Sequence, residues 1–357
     1  VKKGINKMAE IKLCDGTVIG DYQKPYIIAE VNSSHNGNVE TARQMIAKAK
    51  EIGASCVKFQ SWSADSLYSK SYYSNNPIAK RIVEKFSLTE EQLISMADYC
   101  REVGISFSST PYSCHEVDIL LEKCRAPYIK VASMDINNNQ YLRYIASTKA
   151  PIILSTGMAE MDEVRRAVEV IEKAGNSQIA LLHCISIYPA EPETIHLNNI
   201  LGLREEFPQY PIGFSDHTLG TEMAAAATAL GAAVIEKHFT LDKSKMGMDN
   251  NMATEPEEFA QLVKGCNNVY KAMGSKERVV SEAEYVQRQK MRRSIIAAEN
   301  LAAGTVLTAE NLGAKRPGTG IQLDKLSSVI GKRLLRDIEA DTLIAETDLA
   351  DFKTIRQ

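Results

Sequence analysis

From residue 26 onward, short apolar runs rich in β-branched residues alternate with segments of helical period. The runs are Tyr26–Val31, Cys56–Gln60, Ile105–Ser109, Tyr128–Ser133, Pro151–Ser155, Ile179–Cys184, Pro211–Ser215 and Ala233–Phe239. Near-continuous apolar composition is what a parallel strand needs when both faces of its sheet are covered. Between them, Val39–Ile52 places Val39, Ala42, Met45, Ile46, Ala49 and Ile52 at spacings of three and four, with Asn38 as N-cap and Gly53 closing the helix. Glu90–Val103, Met161–Ala174, Thr221–Leu230 and Pro256–Met273 follow the same period. Eight such units over roughly 250 residues are the proportion of an α/β protein of the (β/α)8 TIM-barrel type. An open doubly wound sheet is the alternative, and the number of units favours closure.

The flanks have a different rhythm. Residues 1–24 read as an extension in which Asp15-Gly16 joins two short alternating segments, a hairpin signal, and such a hairpin is placed to plug the barrel bottom. The barrel is expected over 25–274 and a polar linker over 275–292. A small β-rich domain is expected over 293–357, with turn-like pieces at Glu299–Gly304 and Arg316-Pro317-Gly318-Thr319-Gly320.

Composition narrows the function classes. With 44% hydrophobic and 24% charged residues the chain can build a sizeable core and is not disordered in character. A net charge of −3 offers no basic excess for a nucleic-acid backbone, so no nucleic-acid partner is expected. The longest apolar runs fall short of a membrane span, and the basic Val1–Lys7 stretch lacks the apolar core of a signal peptide. Seven cysteines without a Cys-x-x-Cys pair suggest a reducing, cytoplasmic setting.

In a parallel barrel the working residues gather at the C-terminal ends of the strands. The first run ends in Glu30, and the second carries Lys58 and Gln60, two residues apart and so on one face. The fourth carries Lys130, and the eighth carries Glu236 and His238 on one face. An ionised group in such a run is costly unless it is paired or meets a charged ligand. Glu30 therefore reads either as a salt-bridge partner of Lys58 or Lys130 or as a functional carboxylate. The two lysines, with strand-end hydroxyls on Thr110, Ser133, Ser186 and Ser215, suit a phosphorylated or carboxylated anion. No Gly-x-x-x-x-Gly-Lys loop and no Gly-x-Gly-x-x-Gly after a strand points to a nucleotide. His217 and His238 end neighbouring runs, and strands about 4.8 Å apart bring such residues within reach of one ion. Two imidazoles with open positions suit a divalent cation such as Mn²⁺; the alternative is a pair of hydrogen-bonded histidines. His183, in mid-run, reads as a core histidine. His35, in the first strand-end loop, is either functional or a turn cap.

Together, Ile28-Ala29-Glu30 with His35-Asn36-Gly37, Val57-Lys58-Phe59-Gln60, Leu154-Ser155-Thr156-Gly157-Met158, Leu182-His183-Cys184 with Tyr188-Pro189, Gly213-Phe214-Ser215-Asp216-His217-Thr218, Ile235-Glu236-Lys237-His238-Phe239-Thr240 and Lys315-Arg316-Pro317-Gly318 resemble the sialic acid synthase family. The likeness runs from about Pro25 to Asp351. It implies an enzyme that condenses phosphoenolpyruvate with an N-acetylated aldose to a nine-carbon 2-keto acid. It further implies a C-terminal antifreeze-like domain and a homodimer in which that domain is swapped. By the same resemblance His217 and His238 hold the divalent metal, Mn²⁺ before Mg²⁺ or Co²⁺. Lys58, Thr110, Lys130, Ser133, Ser186 and Ser215 surround phosphoenolpyruvate. Glu30, Asp249 and Arg316 are catalytic, Gln60, Asp135, Tyr188 and Asp249 lie near the sugar, and Arg316 enters the partner's site.

Three departures bear on the acceptor. Met134-Asp135 stands where N-acetylneuraminate synthases usually have Gly-Glu, Ser186 where many have Asn or Thr, and Met246-Gly247-Met248-Asp249 in place of a Gly-Pro-Asp segment. N-acetylmannosamine is the expected acceptor. A diacetamido-trideoxy hexose leading to legionaminate or pseudaminate is the alternative. Other phosphoenolpyruvate-dependent synthases of 3-deoxy sugar acids are more distant, as is a carbohydrate-binding or assembly protein without catalysis.

Overall fold

The structure, a computed structural model, describes residues 8–351. The basic stretch 1–7 and the last six residues of the expected C-terminal domain lie outside the described residues. The chain divides after Gly274 into two compact units.

The first unit opens with a hairpin, β1 (Glu10–Lys12) against β2 (Val18–Gly20), turned by Gly16 at φ +90°. Eight parallel strands follow: β3 (Tyr26–Asn32), β4 (Cys56–Ser61), β5 (Ser106–Pro111), β6 (Ile129–Val131), β7 (Ile152–Ser155), β8 (Ile179–Cys184), β9 (Ile212–Asp216) and β10 (Val234–His238). Their ladder runs β5-β4-β3-β10-β9-β8-β7-β6, and β6 returns beside β5 to make a nearly closed barrel. The run expected at Tyr128–Ser133 is shorter as a strand because Ser133–Asp135 coils into a 3₁₀ turn. β9 ends at Asp216, so His217 is the first residue beyond it.

Alternation along each strand sorts the core into two layers. Ile27, Ala29, Val31, Val57, Phe59, Ile129, Val131, Leu181, Phe214 and Ile235 face outward into the main core shared with the helices. Ile28, Cys56, Tyr128, Ile153, Ala180, Leu182 and Val234 face inward, where Ile11, Leu13 and Ile19 of the hairpin pack against them and plug the bottom. Two residues further along the same inward phase come Glu30, Lys58, Lys130, Ser155, Cys184 and Glu236, and Ser215 joins them from β9.

The helices begin and end where their caps dictate. Asn38 accepts from the Thr41 N–H at 2.9 Å and Gly53 stops Val39–Ile52 at φ 95°. Glu90–Val103 and Pro256–Met273 occupy their expected spans, while Thr221–Leu230 tightens to Glu222–Ala229. The sequence pattern did not reveal the excursion after β4, where Ala64–Leu67, Lys70–Asn75 and Pro77–Phe86 close over a satellite core of Trp62, Tyr73, Val83 and Phe86. No described helix is long and apolar enough to cross a membrane.

In the second unit, part of the stretch expected as a linker is a helix, Glu282–Met291. Ser281 caps it, acidic residues occupy its first turn and Arg288 and Lys290 its last, which matches the helix dipole. No residue of this helix is buried, which is why no apolar stripe announced it. Beyond it β11 (Ser294–Ala297) pairs antiparallel with β12 (Leu312–Lys315), and single bridges such as Leu301–Ile338 and Leu334–Leu349 complete a small core around Ile295, Leu307, Val329 and Ile344.

The loop after β3 is held by His35, whose Nδ1 accepts from the Gly37 N–H at 3.0 Å and whose ring packs against Phe59. Gly37 has φ +71°, and a Cβ there would run into the Lys85 carbonyl. Burial drives the His35 pKa down from 6.5 to about 4. The fold thus holds the neutral ring, so this residue's contribution is fully present above pH 6.5 and is lost as pH falls toward 4. In urea unfolding at pH 7 and pH 5, wild type should lose about 2 kcal/mol more stability between the two than His35→Asn. Identical pH dependence would show that the folded ring protonates freely.

Candidate active site

The inward polar residues at the strand ends surround a cavity of about 240 Å³. Its floor is four buried charges. Lys58 ion-pairs with Glu30 and lies 3.8 Å from Glu236 Oε2, while Lys130 lies 4.0 Å from Glu236 Oε1. Each lysine also donates to a hydroxyl, Lys58 to Thr110 Oγ1 at 2.9 Å and Lys130 to Ser155 Oγ at 2.6 Å. Ser215 Oγ donates to Glu236 Oε1 at 3.1 Å, and the Asn32 N–H donates to Glu30 Oε1 at 2.8 Å. Glu30 is thus a salt-bridge partner of Lys58 and also a cavity wall.

The two carboxylates differ. Burial, with the charge of Glu236 beside it, pushes Glu30 up from 4.5 to about 7 against the pull of Lys58. Burial acts on Glu236 in the same sense but is outweighed by Lys130 and Lys58, which hold it below its ordinary value. Burial lowers Lys130. For Lys58 burial is overcome by Glu236 and Glu30, which raise it. With a proton on Glu30 the floor loses one negative charge, which favours an incoming anion.

One wall is small and hydroxylated. The Gly157 N–H donates to Ser133 Oγ at 3.0 Å, and a Cβ on Gly157 would enter the space kept by the Ser133 and Ser186 hydroxyls. Cys184 Sγ lies 3.7 Å from Ser133 Oγ and 3.9 Å from Ser186 Oγ.

The opposite wall carries the imidazoles. The His217 and His238 ring centroids are 5.4 Å apart, with Tyr188 lying 4.3 Å from His217. His217 Nδ1 donates to Ile185 O at 2.7 Å, which leaves Nε2 as the free donor atom. Burial holds His238 well below its ordinary pKa, so its ring is neutral and offers a lone pair. For His217 burial is outweighed by Cys184 and the Ile185 carbonyl, which raise it, so a cation there would compete with a proton for Nε2. This pair fits a divalent cation with open positions. Among the described residues no group of three or more His, Cys, Asp or Glu donors gathers around such a point, so these two imidazoles would leave other positions of such an ion open.

The other expected site residues fall in different places. Gln60 lines the cavity and accepts from Trp62 Nε1 at 3.1 Å and Tyr112 Oη at 3.0 Å. Asp249 accepts from Asn32 Nδ2, beside Glu30. Asp135 belongs to the 3₁₀ turn after β6 and accepts from Asn138 Nδ2 at 3.3 Å, and its neighbour Met134 faces the cavity instead. Arg316 belongs to the second unit. His183 turns outward, stacks on Phe214 and bonds Ile195 O at 2.6 Å, as its mid-run position implies. Sequence reasoning placed Glu236 on the face of His238 without giving it a role, and gave none to Ser155, Tyr112 or Cys184. Ser155 and Cys184 were readable as inward-phase residues, two positions after Ile153 and two before Ser186. Tyr112 was not, since it lies past the end of β5.

Residues 45–278 match the NeuB family and residues 292–350 the SAF domain. The N,N'-diacetyllegionaminic acid synthase of Legionella pneumophila is 37% identical over 89% of this chain and 93% of its own length. The human N-acetylneuraminate-9-phosphate synthase is 33% identical over 94% of this chain and 96% of its own. Among solved structures, the N-acetylneuraminic acid synthetase of Leptospira borgpetersenii, crystallised with citrate, superposes with a TM-score of 0.71 at 30% identity, over 78% of this chain and 95% of that one.

Removing one cation from the floor exposes its electrostatics. Lys58→Met leaves two buried carboxylates sharing only Lys130, and should cost about 3 kcal/mol of stability at pH 8. The deficit should shrink at pH 6, where Glu30 takes up a proton. Denaturant unfolding at both values checks this, and an equal deficit would mean that Glu30 stays ionised throughout.

Proposed function

The chain belongs to the NeuB family of phosphoenolpyruvate-condensing synthases, and from that premise we propose that its barrel cavity joins phosphoenolpyruvate to an N-acetylated aldose. With N-acetylmannosamine and water the products are N-acetylneuraminate, a nine-carbon 2-keto sugar acid, and phosphate. One observation carries the reading: two lysines for a multiply charged anion and two imidazoles for a cation open on the same cavity.

Lys58 and Lys130 neutralise phosphate and carboxylate, while Thr110, Ser133, Ser186 and Ser215 direct hydrogen bonds to their oxygens. With no side chain, Gly157 lets the Ser133 and Ser186 hydroxyls pack against its backbone. A divalent cation on His217 and His238, Mn²⁺ or in its place Mg²⁺ or Co²⁺, would polarise the acceptor's aldehyde. Gln60, Asp135, Tyr188 and Asp249 are assigned to the sugar, with Asp249 held by Asn32. C3 of phosphoenolpyruvate attacks the aldehyde carbon and C2 becomes cationic. Water adds to C2, and the tetrahedral adduct expels phosphate by C–O cleavage. Glu30, with a pKa of about 7, is matched to accept the proton of that water. Arg316 is assigned to a neighbouring barrel in a domain-swapped homodimer, where its planar fork of donors suits oxygen-rich ligands. Seven free cysteines support a cytoplasmic setting for this transferase.

A second acceptor has its own support. Met134 and Met158 line the cavity with thioether side chains. An acetamido group and a C6 methyl meet such a wall better than hydroxyls do, which favours a diacetamido-trideoxy hexose. Product mass from a panel of amino sugars incubated with phosphoenolpyruvate and Mn²⁺ decides between the acceptors; a panel without phosphate release would overturn the synthase reading.

His217→Ala and His238→Ala should abolish condensation with the fold intact, and Lys130→Met should raise the KM for phosphoenolpyruvate at least tenfold. Unchanged turnover and KM in these variants would remove them from the site. Arg316→Ala and Glu30→Gln protomers, each inactive alone, should regain activity when mixed under exchange, and confirmed heterodimers without activity would refute the swap.

A further inference from the structure

Behind the imidazole wall lies a second buried ion pair that does not line the cavity. Lys237 and Asp216 are register partners across β10 and β9, and both are almost wholly buried, at 2% and 0% exposure. Lys237 Nζ donates to Asp216 Oδ2 at 2.8 Å and to Thr218 O at 2.6 Å. Asp216 Oδ1 accepts from the Thr218 N–H at 2.9 Å and from Thr218 Oγ1 at 2.7 Å.

These four bonds enclose His217. The residue before it and the residue after it are both fastened to Lys237, which immediately precedes His238. Because side chains alternate along a strand, Lys237 points away from the barrel axis while His238 points into the cavity. Among the described residues no hydrogen bond reaches the His238 ring, so its position follows from its backbone. That backbone is held by the β3 ladder, where His238 pairs with Glu30, by Thr254 N–H donating to His238 O at 2.8 Å, and, through its neighbour Lys237, by the bonds to Asp216 and Thr218.

A buried ion pair is a poor source of stability, since well-packed apolar residues of similar volume serve as well or better. What apolar packing lacks is direction. We propose that Asp216, Lys237 and Thr218 form a clamp that sets the separation and aim of His217 and His238, and thereby the affinity of the cation site. They are positioning residues acting through the two imidazoles. The inference rests on His217 and His238 being the cation ligands.

The test is Mn²⁺ binding to the full-length chain, by titration calorimetry and by the electron paramagnetic resonance signal of free Mn²⁺, with folding followed by circular dichroism. Asp216→Val/Lys237→Met replaces the pair by apolar residues, and Thr218→Val removes a single hydroxyl. Loss of such supporting contacts typically weakens a metal site by about 10–100-fold. The folded double variant should bind Mn²⁺ at least tenfold more weakly, and Thr218→Val should do so by about threefold or more. Wild-type affinity in the folded double variant overturns the clamp. If the double variant does not fold, Thr218→Val decides alone: weakened binding supports the clamp and unchanged binding overturns it. His217→Ala and His238→Ala separate the two claims. If they bind Mn²⁺ like wild type, the ligand assignment falls and the clamp with it. If they lose Mn²⁺ while the clamp variants keep it, only the clamp falls.

Discussion

Two lysines and two carboxylates share the interior of this barrel, and neither sign is tolerable there without the other. Glu30, Lys58, Lys130 and Glu236 are each at most 6% exposed. In such surroundings an isolated charge is strongly disfavoured and would neutralise instead. The network therefore requires all four strands that carry it to be in register at once. It also leaves the site poised: mutual compensation is incomplete, so Glu30 drifts up to about 7 while Glu236 stays ionised between its two lysines. A multiply charged anion arriving above the lysines meets a floor that can become net positive by binding one proton.

The same strands that make this floor also make the core beneath it, the two lying on one face and two residues apart along each strand. Ile28 and Glu30 point the same way along β3, as do Cys56 and Lys58 along β4 and Val234 and Glu236 along β10. The lower members pack against Ile11, Leu13 and Ile19 of the hairpin. The upper members reach the cavity. A one-residue slip of any strand would bury a charge among the helices and expose apolar surface to the cavity. The hairpin seals the dry end, so the polar end is the only one that opens to ligands.

Rigid strand ends and adaptable loops divide the remaining work. The imidazoles and lysines sit on or one residue beyond strands. The groups near the expected acceptor, Met134, Tyr188 and Asp249, sit on connections. This arrangement puts the charged and imidazole groups on the scaffold and the groups expected near the acceptor on segments that tolerate change. Chains that share the barrel chemistry can therefore differ in the sugar they take.

How much of this was legible in the chain itself follows from range. Period-two and period-3.6 patterning located all eight barrel strands and the main helices, because burial on both sheet faces leaves a continuous apolar run that needs no partner to be recognised. Lys58, Lys130, His217 and His238 stood out because a charge or an imidazole in such a run is an anomaly that local sequence cannot relieve. What the sequence left open was which charge meets which. It allowed Glu30 a partner in Lys58 or Lys130, whereas the register of β3 against β4 sets Lys58 beside Glu30 and closure of the barrel lets Glu236 sit between the lysines. It singled out Asp135 but not its neighbour Met134, which the 3₁₀ turn after β6 brings to the cavity wall. The helix at Glu282–Met291 escaped notice since none of its residues is buried, and the bonds that join Asp216, Thr218 and Lys237 appear only once β9 and β10 lie side by side. Alternation and composition act over a few residues and survive in the linear chain; pairing of buried charges is decided by distances between strands far apart in sequence, which only the closed barrel sets.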